Sequence, residues 1–251
     1  MICDNITVKD GVLHFAGQST VQLAQQYGTP LYLLDEDYIR RQCRVYKAAF
    51  ARHFGPTSRP LFASKACCFT RIYEIMREEG MGIDVVSPGE IYTARRAGFD
   101  LRGAYFRDVS FLNCDFAGAA LIGATLHRCA FEDCRLTGAN FSAGALADVR
   151  FFGCVAQSAA FSECGMKAVL FEQTDLSGAA FCDIGLRRRA AFAFKECSLA
   201  GAQFLHTPLA GHSFATCNIE GISLEGPELR GARVTALQAC GLAKLLGVIV
   251  E

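Results

Sequence analysis

The chain has 251 residues, carries 25 basic and 25 acidic side chains for a formal net charge of zero, and is 51% apolar. Such a balance excludes a uniformly basic or acidic protein that engages nucleic acid or membranes by bulk charge. No apolar run approaches the ~18 residues of a membrane span, and Met1-Ile2-Cys3-Asp4-Asn5 lacks the basic and apolar regions of a signal peptide, which predicts a cytoplasmic protein.

In chain order, periodicity predicts helices at Ser19–Tyr27, Asp35–Arg52, Cys68–Glu79 and Pro88–Ala97, with strands near Leu31–Leu34, Leu61–Ser64 and Ile83–Val86. The stretches Thr29-Pro30-Leu31-Tyr32-Leu33-Leu34-Asp35, Phe62-Ala63-Ser64-Lys65-Ala66 and Gly82-Ile83-Asp84-Val85-Val86-Ser87-Pro88-Gly89-Glu90 resemble the start of the diaminopimelate decarboxylases, pyridoxal-phosphate enzymes on a β/α barrel. The resemblance implies that Lys65 matches the lysine that forms the Schiff base, which works when its amine is partly desolvated. It ends near Phe99-Asp100, after about two of the eight units a barrel needs. The family's later phosphate loop, substrate residues and C-terminal domain have no counterpart, so Lys65 is expected to be vestigial, with no pyridoxal phosphate held and no decarboxylation. Because two parallel strands cannot bury their own faces, residues 1–100 are expected to form a small α/β segment that caps the N-terminal end of the remaining chain.

From Leu101 to Val234 a large apolar residue returns at every fifth position with one interruption, and only Ala156 is too small for its slot. The residue two before it is usually Ala or Cys. Neither a helix nor a strand has this period, so the unit must turn a corner every five residues and stack upon itself. Steps of twenty place Phe111, Phe131, Phe151 and Phe171 on one wall; position 191 is Ala, and the register resumes at Phe194 and Phe214. A three-residue insertion keeps all of these rings on that wall. It predicts a bulged loop at about Arg187–Ala193 with the basic triple Arg187, Arg188 and Arg189.

This pattern resembles the pentapeptide-repeat family, which implies a mainly β fold: a right-handed quadrilateral β-helix over residues 101–235. The stretch Leu224-Glu225-Gly226-Pro227-Glu228-Leu229-Arg230-Gly231-Ala232-Arg233-Val234, followed by Leu237-Gln238-Ala239 and a short apolar helix, resembles the end of the Qnr quinolone-resistance proteins. That resemblance implies a capping and dimerisation helix within residues 236–251, with Leu237, Leu242, Leu245, Leu246, Val248 and Val250 making a homodimer. It further implies a partner, DNA gyrase or topoisomerase IV, shielded from quinolone-type inhibitors by contact and without catalysis.

Charge and cysteine usage qualify this expectation. Residues 101–251 hold about 14 acidic and 13 basic side chains, so the DNA mimicry proposed within the family, which needs negative charge along the rod, is weaker here, and no direct nucleic-acid binding is expected. The loop arginines suit an acidic partner surface, or simply form the solvated tip of a bulge. Of 13 cysteines, Cys114, Cys129, Cys134, Cys154, Cys164, Cys197 and Cys217 occupy the small inward position, where a thiol serves as a small hydrophobe. Only the neighbours Cys67-Cys68 approach metal-ligand clustering, so no metal is expected. Two alternatives stay open: a structural repeat protein with another partner, and a decarboxylase-like fragment completed by a second chain.

Overall fold

A computed structural model describes residues 4–184 and 191–249, and the chain divides into two compact units, Met1–Phe99 and Asp100–Glu251. The first opens with an antiparallel meander, β1 (Ile6–Lys9), β2 (Val12–Phe15) and β3 (Gln18–Ser19). It lies in a stretch whose short, turn-broken runs carry no clear period, and the sequence reading omits it. Helix α1 (Thr20–Tyr27) starts where the Ser19 hydroxyl accepts from Gln22 N, and α2 (Glu36–Phe54) where the Asp35 carboxylate accepts from Tyr38 N. Each ends at a glycine with positive φ, Gly28 and Gly55. The expected strand at Leu31–Leu34 does not form. That stretch pairs with no strand among the described residues, and Tyr32 is 96% exposed.

Strand β4 (Leu61–Ala63), helix α3 (Thr70–Glu78), strand β5 (Gly82–Asp84) and helix α4 (Pro88–Arg96) come next, with β4 and β5 parallel and Phe62 opposite Ile83. This is one strand–helix–strand unit. Ile72, Tyr73, Ile75 and Met76 form the buried face of α3 and pack with Cys43, Met81, Ala94 and Ala97, the i, i+3, i+4 stripe of an amphipathic helix. Across the α2–α3 surface, Arg40 pairs with Glu36, Glu78 and Glu79, and Arg71 with Glu36, Glu74 and Glu78. With only two strands, the sheet leaves Leu61 and Val86 more than half exposed.

The second unit is built from β6 (Tyr105–Arg107), β7 (Ser110–Leu112), β8 (Thr125–Glu132), β9 (Ala145–Phe152), β10 (Gly165–Glu172) and β11 (Phe192–Lys195), all parallel. Phe111 lies opposite Phe131, Phe131 opposite Phe151 and Phe151 opposite Phe171, a constant step of twenty. Further bridges repeat that step at Asp115–Arg135 and Ala120–Asn140, so four short segments in each coil pair with the coil above. The fold is a β-helix-like stack. Many of its corners are tight turns in which the i+3 amide returns to the i carbonyl, as Ala119 N does to Phe116 O at 2.9 Å. Gly118 has φ +63° at that corner, a left-handed conformation glycine adopts without steric cost.

After the interruption Phe171 pairs with Phe194, a step of twenty-three. Strand β11 already begins at Phe192, which shortens the loop expected at Arg187–Ala193: Phe192 and Ala193 extend the ladder instead. Arg187, Arg188 and Arg189 lie outside the described residues.

Inside the stack, the phenylalanine wall is continuous. Ring centroids stand 4.8 Å apart for Phe111–Phe131, 4.9 Å for Phe131–Phe151, 4.8 Å for Phe151–Phe171, 5.4 Å for Phe171–Phe194 and 5.9 Å for Phe194–Phe214. A second column, Phe141, Phe161, Phe181 and Phe204, stacks at 5.0, 5.1 and 5.4 Å. The two columns meet edge to face, as Phe151 does with Phe141 and Phe161 at 5.9 and 5.7 Å. Buried Ala139, Ala159, Ala179 and Ala202 occupy the small positions beside the second column. Replacing Phe151, which is 0% exposed, with Ala is expected to cost about 3–5 kcal/mol in urea unfolding of the full chain; a loss below about 1 kcal/mol would contradict the stacked register.

Candidate functional site

Chemistry-bearing residues gather in three places, each treated within its own unit. In the first unit, Lys65 sits in the single turn Ser64–Ala66 just after β4. Ser64 is fully buried, and its hydroxyl donates to Asp84 O on β5. Lys65 itself is exposed. The fully buried Tyr73 hydroxyl lies near Ser64 without a well-formed hydrogen bond, and burial pushes it above the ordinary phenol range. A cavity of about 220 Å³ in this unit is lined by Leu34, Glu36, Ile39, Phe69, Arg71, Ile72 and Ile75, away from the lysine. A Schiff-base lysine works from an enclosed, partly desolvated amine. Here the amine is exposed beside a two-stranded sheet.

The second place is the outer surface of the coil stack, where charges pair across coils. Arg128 grips Asp108 through Nε at 2.5 Å and Nη2 at 2.6 Å, and Arg135 pairs with Asp115 in the same two-pronged way. Glu172 is held by Lys195 at 2.6 Å and Arg150 at 2.7 Å. The Lys195 and Arg150 hydrogen bonds hold the Glu172 carboxyl below the ordinary carboxylate range, and Arg128 does the same to Asp108. Nearer the C-terminus, His206 Nδ1 lies 3.0 Å from Asp183 Oδ1 beside a hollow of about 270 Å³ lined by His206, Pro208, Glu225, Pro227 and Glu228. Among the described residues, no three His, Cys, Asp or Glu side chains converge in a way that could hold a metal ion.

The third place is the C-terminal end. Helix α5 (Ala236–Ala243) begins with a capping box: Thr235 Oγ1 accepts from Gln238 N, and Gln238 Oε1 accepts from Thr235 N. The other end of the same amide donates to Phe214 O and Cys217 O, both at 2.8 Å, which pins the helix onto the coil below. Leu237 is 84% exposed, and Leu245 and Val248 are also open. Leu242 is partly buried and packs against the core of the stack. Val250 and the Leu246 side chain lie outside the described residues. No helix among the described residues is long and apolar enough to cross a membrane.

Residues 104–181 match the pentapeptide repeat region, and residues 36–113 match the pyridoxal binding domain of pyridoxal-dependent decarboxylases. Each of the two matches covers less than half of the chain. It is 46% identical over 97 residues to diaminopimelate decarboxylase of Methanothermobacter thermautotrophicus, which covers 38% of this chain and 22% of that protein. It thus spans about a fifth of the length of the curated relatives it matches. The crystal structure of the M. jannaschii enzyme in co-complex with L-lysine aligns at 32% identity with TM-score 0.38, over 41% of this chain and 25% of that one. QnrB1, a plasmid-mediated fluoroquinolone resistance protein, aligns at 19% identity with TM-score 0.34, over 60% of this chain and 92% of that one.

One interior group escaped the sequence reading. His212 takes the small inward position two before Phe214, with its ring 4.3 Å from that of Phe192. Neither ring nitrogen has a hydrogen-bond partner; the carbonyls of Leu209, Ala210 and Phe192 are near but out of bonding geometry. Burial pushes its pKa below the ordinary 6.5. Its folded-state affinity for protons is therefore weaker than in the unfolded chain, so stability is fully present above pH 6.5 and is lost as pH falls toward the depressed value. The thermal midpoint is expected to drop between pH 7 and pH 5, and His212→Leu to flatten that slope; an unchanged slope in the variant would assign the effect elsewhere.

Proposed function

We propose that residues 101–251 form a right-handed quadrilateral β-helix that binds a type II topoisomerase, DNA gyrase or topoisomerase IV, and protects it from quinolone-type inhibitors by contact alone. The observation that carries this reading is the C-terminal end: a helix anchored by Gln238 to the last coils while Leu237, Leu245 and Val248 face outward. An anchored helix with open leucines suits a homodimer seam, and the Leu224–Val234 ending resembles that of the Qnr proteins. The fluoroquinolone resistance attributed to QnrB1 is consistent with this direction. On this reading the protein acts in the cytoplasm.

Recognition rests on shape more than on charge. Acids that would imitate phosphates are neutralised by the coil above, as Asp108 is by Arg128 and Asp115 by Arg135, which leaves little unpaired negative field for a basic saddle. The basic triple Arg187, Arg188 and Arg189 is assigned to an acidic patch of the partner. The same neutral surface also favours a second reading, a structural repeat protein with another partner.

Residues 1–100 contribute no catalysis in this proposal. Lys65 is open to solvent and belongs to a fragment of a barrel, so pyridoxal phosphate is not bound.

In a gyrase supercoiling assay with ciprofloxacin, the full chain is expected to raise the inhibitory drug concentration several-fold, and Leu237→Lys to weaken that protection together with dimerisation. No protection at a large molar excess would favour the other partner. Separately, pyridoxal phosphate added to the protein is expected to give the same Schiff-base absorbance in the parent and in Lys65→Ala; a band confined to the parent would restore the cofactor.

A further inference from the structure

One inner wall of the coil stack carries Cys114, Cys134, Cys154, Thr174, Cys197 and Cys217 in successive coils. Most of these side chains are held by two carbonyls. Cys134 Sγ reaches Phe111 O and Glu132 O at 3.3 Å each, and Cys154 Sγ reaches Phe131 O at 3.3 Å and Phe152 O at 3.4 Å. Thr174 Oγ1 donates in the same manner to Phe151 O at 3.3 Å and Glu172 O at 2.9 Å, and Cys197 Sγ lies 3.4 and 3.3 Å from Phe171 O and Lys195 O. Cys217 breaks the rule. Among the described residues its sulfur has no carbonyl partner, and its polar neighbours are Thr216 Oγ1 at 4.0 Å, the thiol of Cys197 and the backbone N–H groups of Cys197 and Glu196.

The backbone places these two cysteines side by side. Asn218 N donates to Cys197 O at 2.9 Å, and Ser198 pairs with Asn218 in parallel. Adjacent strands stand about 4.8 Å apart, within the ~4.4–6.8 Å between Cα atoms that a disulfide spans. We propose that Cys197 and Cys217 are a redox-active pair that a hydroperoxide converts into a disulfide, stapling two adjacent coils beneath the C-terminal helix.

The chemistry stems from the asymmetry of the pair. The neighbouring Cys197 thiol, with the backbone N–H groups of Cys197 and Glu196 and the Thr216 hydroxyl, holds the Cys217 thiol below its ordinary range, whereas the Cys217 sulfur beside it and burial push Cys197 up. Cys217 is therefore the nucleophile. Its thiolate attacks the terminal oxygen of the hydroperoxide, the O–O bond breaks, and with one proton the products are a sulfenic acid and water or an alcohol. The Cys197 sulfur then attacks the sulfenic sulfur; its proton leaves with the hydroxyl as water, and the S–S bond closes. Two thiols are oxidised by two electrons and one peroxide is reduced. Cys154 and Cys164, pushed up by burial to about 11 and about 12, remain thiols.

The staple would act on the end that carries the helix, because Gln238 is anchored on Cys217 O. The test treats the reduced full chain with hydrogen peroxide, alkylates the remaining thiols and maps the peptides. An intramolecular Cys197–Cys217 link, reversed by dithiothreitol and accompanied by a rise of several degrees in the thermal midpoint, is the expected result. Cys217→Thr and Cys197→Thr should each abolish the link while retaining the parent's far-UV circular dichroism, since Thr174 already fills that slot in the same column; Cys217→Ala serves should Thr not fold. Cys134→Thr should leave the link intact. Cys217 recovered unmodified or as sulfinic acid, or links forming equally at Cys114–Cys134, would overturn the assignment.

Discussion

Everything in the second unit depends on the step of twenty between paired residues, because it obliges each coil to present the same inward positions to the next. Inward positions are few, and the interior they fill is narrow. Large and small side chains must therefore be exchanged between walls rather than chosen independently. The column Phe141, Phe161, Phe181 and Phe204 stands beside alanines at 139, 159, 179 and 202, while the Phe151 wall has Val149 and Val169 in its small positions. Ala156 is 1% exposed between coils carrying Leu136 and Leu176.

That constraint also explains where the stack departs from itself. Three added residues before β11 shift the register to twenty-three but leave the wall intact, since Phe194 recovers the position that residue 191 would have held. The departure admits Phe192 into a small inward position and His212 above it. Two rings then occupy a place that Val169 and Val149 fill in earlier coils. The stack is thus least regular on the coils that seat the C-terminal helix, where the unpartnered imidazole and the unanchored Cys217 sulfur are found.

Legibility in the sequence tracked how many residues shared a periodic constraint. Phe111, Phe131 and Phe151 announce themselves because each repeats an identical requirement, and the insertion is visible as a phase shift in that series. The helices of the first unit were readable from caps such as Ser19, Asp35 and Ser87. Single-residue facts were not. Leu31–Leu34 has the composition of a strand, but with two strands in the sheet it has no partner, so tertiary context overrides propensity. Leu242 faces inward while Leu237 faces out, a distinction that depends on how Gln238 seats the helix. His212 and Cys217 occupy slots the period marks as small and apolar, and only the hydrogen-bond geometry shows that each lacks the partner its neighbours have.

The same logic separates the two halves in functional terms. A barrel lysine draws its reactivity from walls that later units supply, and here the sheet stops at two strands, with Lys65, Leu61 and Val86 open to solvent. A repeat stack behaves differently, because each coil is completed by its nearest neighbours, so a severed neighbour of another fold takes nothing from its core. Among the described residues the C-terminal end leaves Leu237, Leu245 and Val248 without a covering surface, and the coils leave Tyr105, Leu112 and Val155 open along their flanks. Apolar area left open in this way is what a further surface would gain by burying.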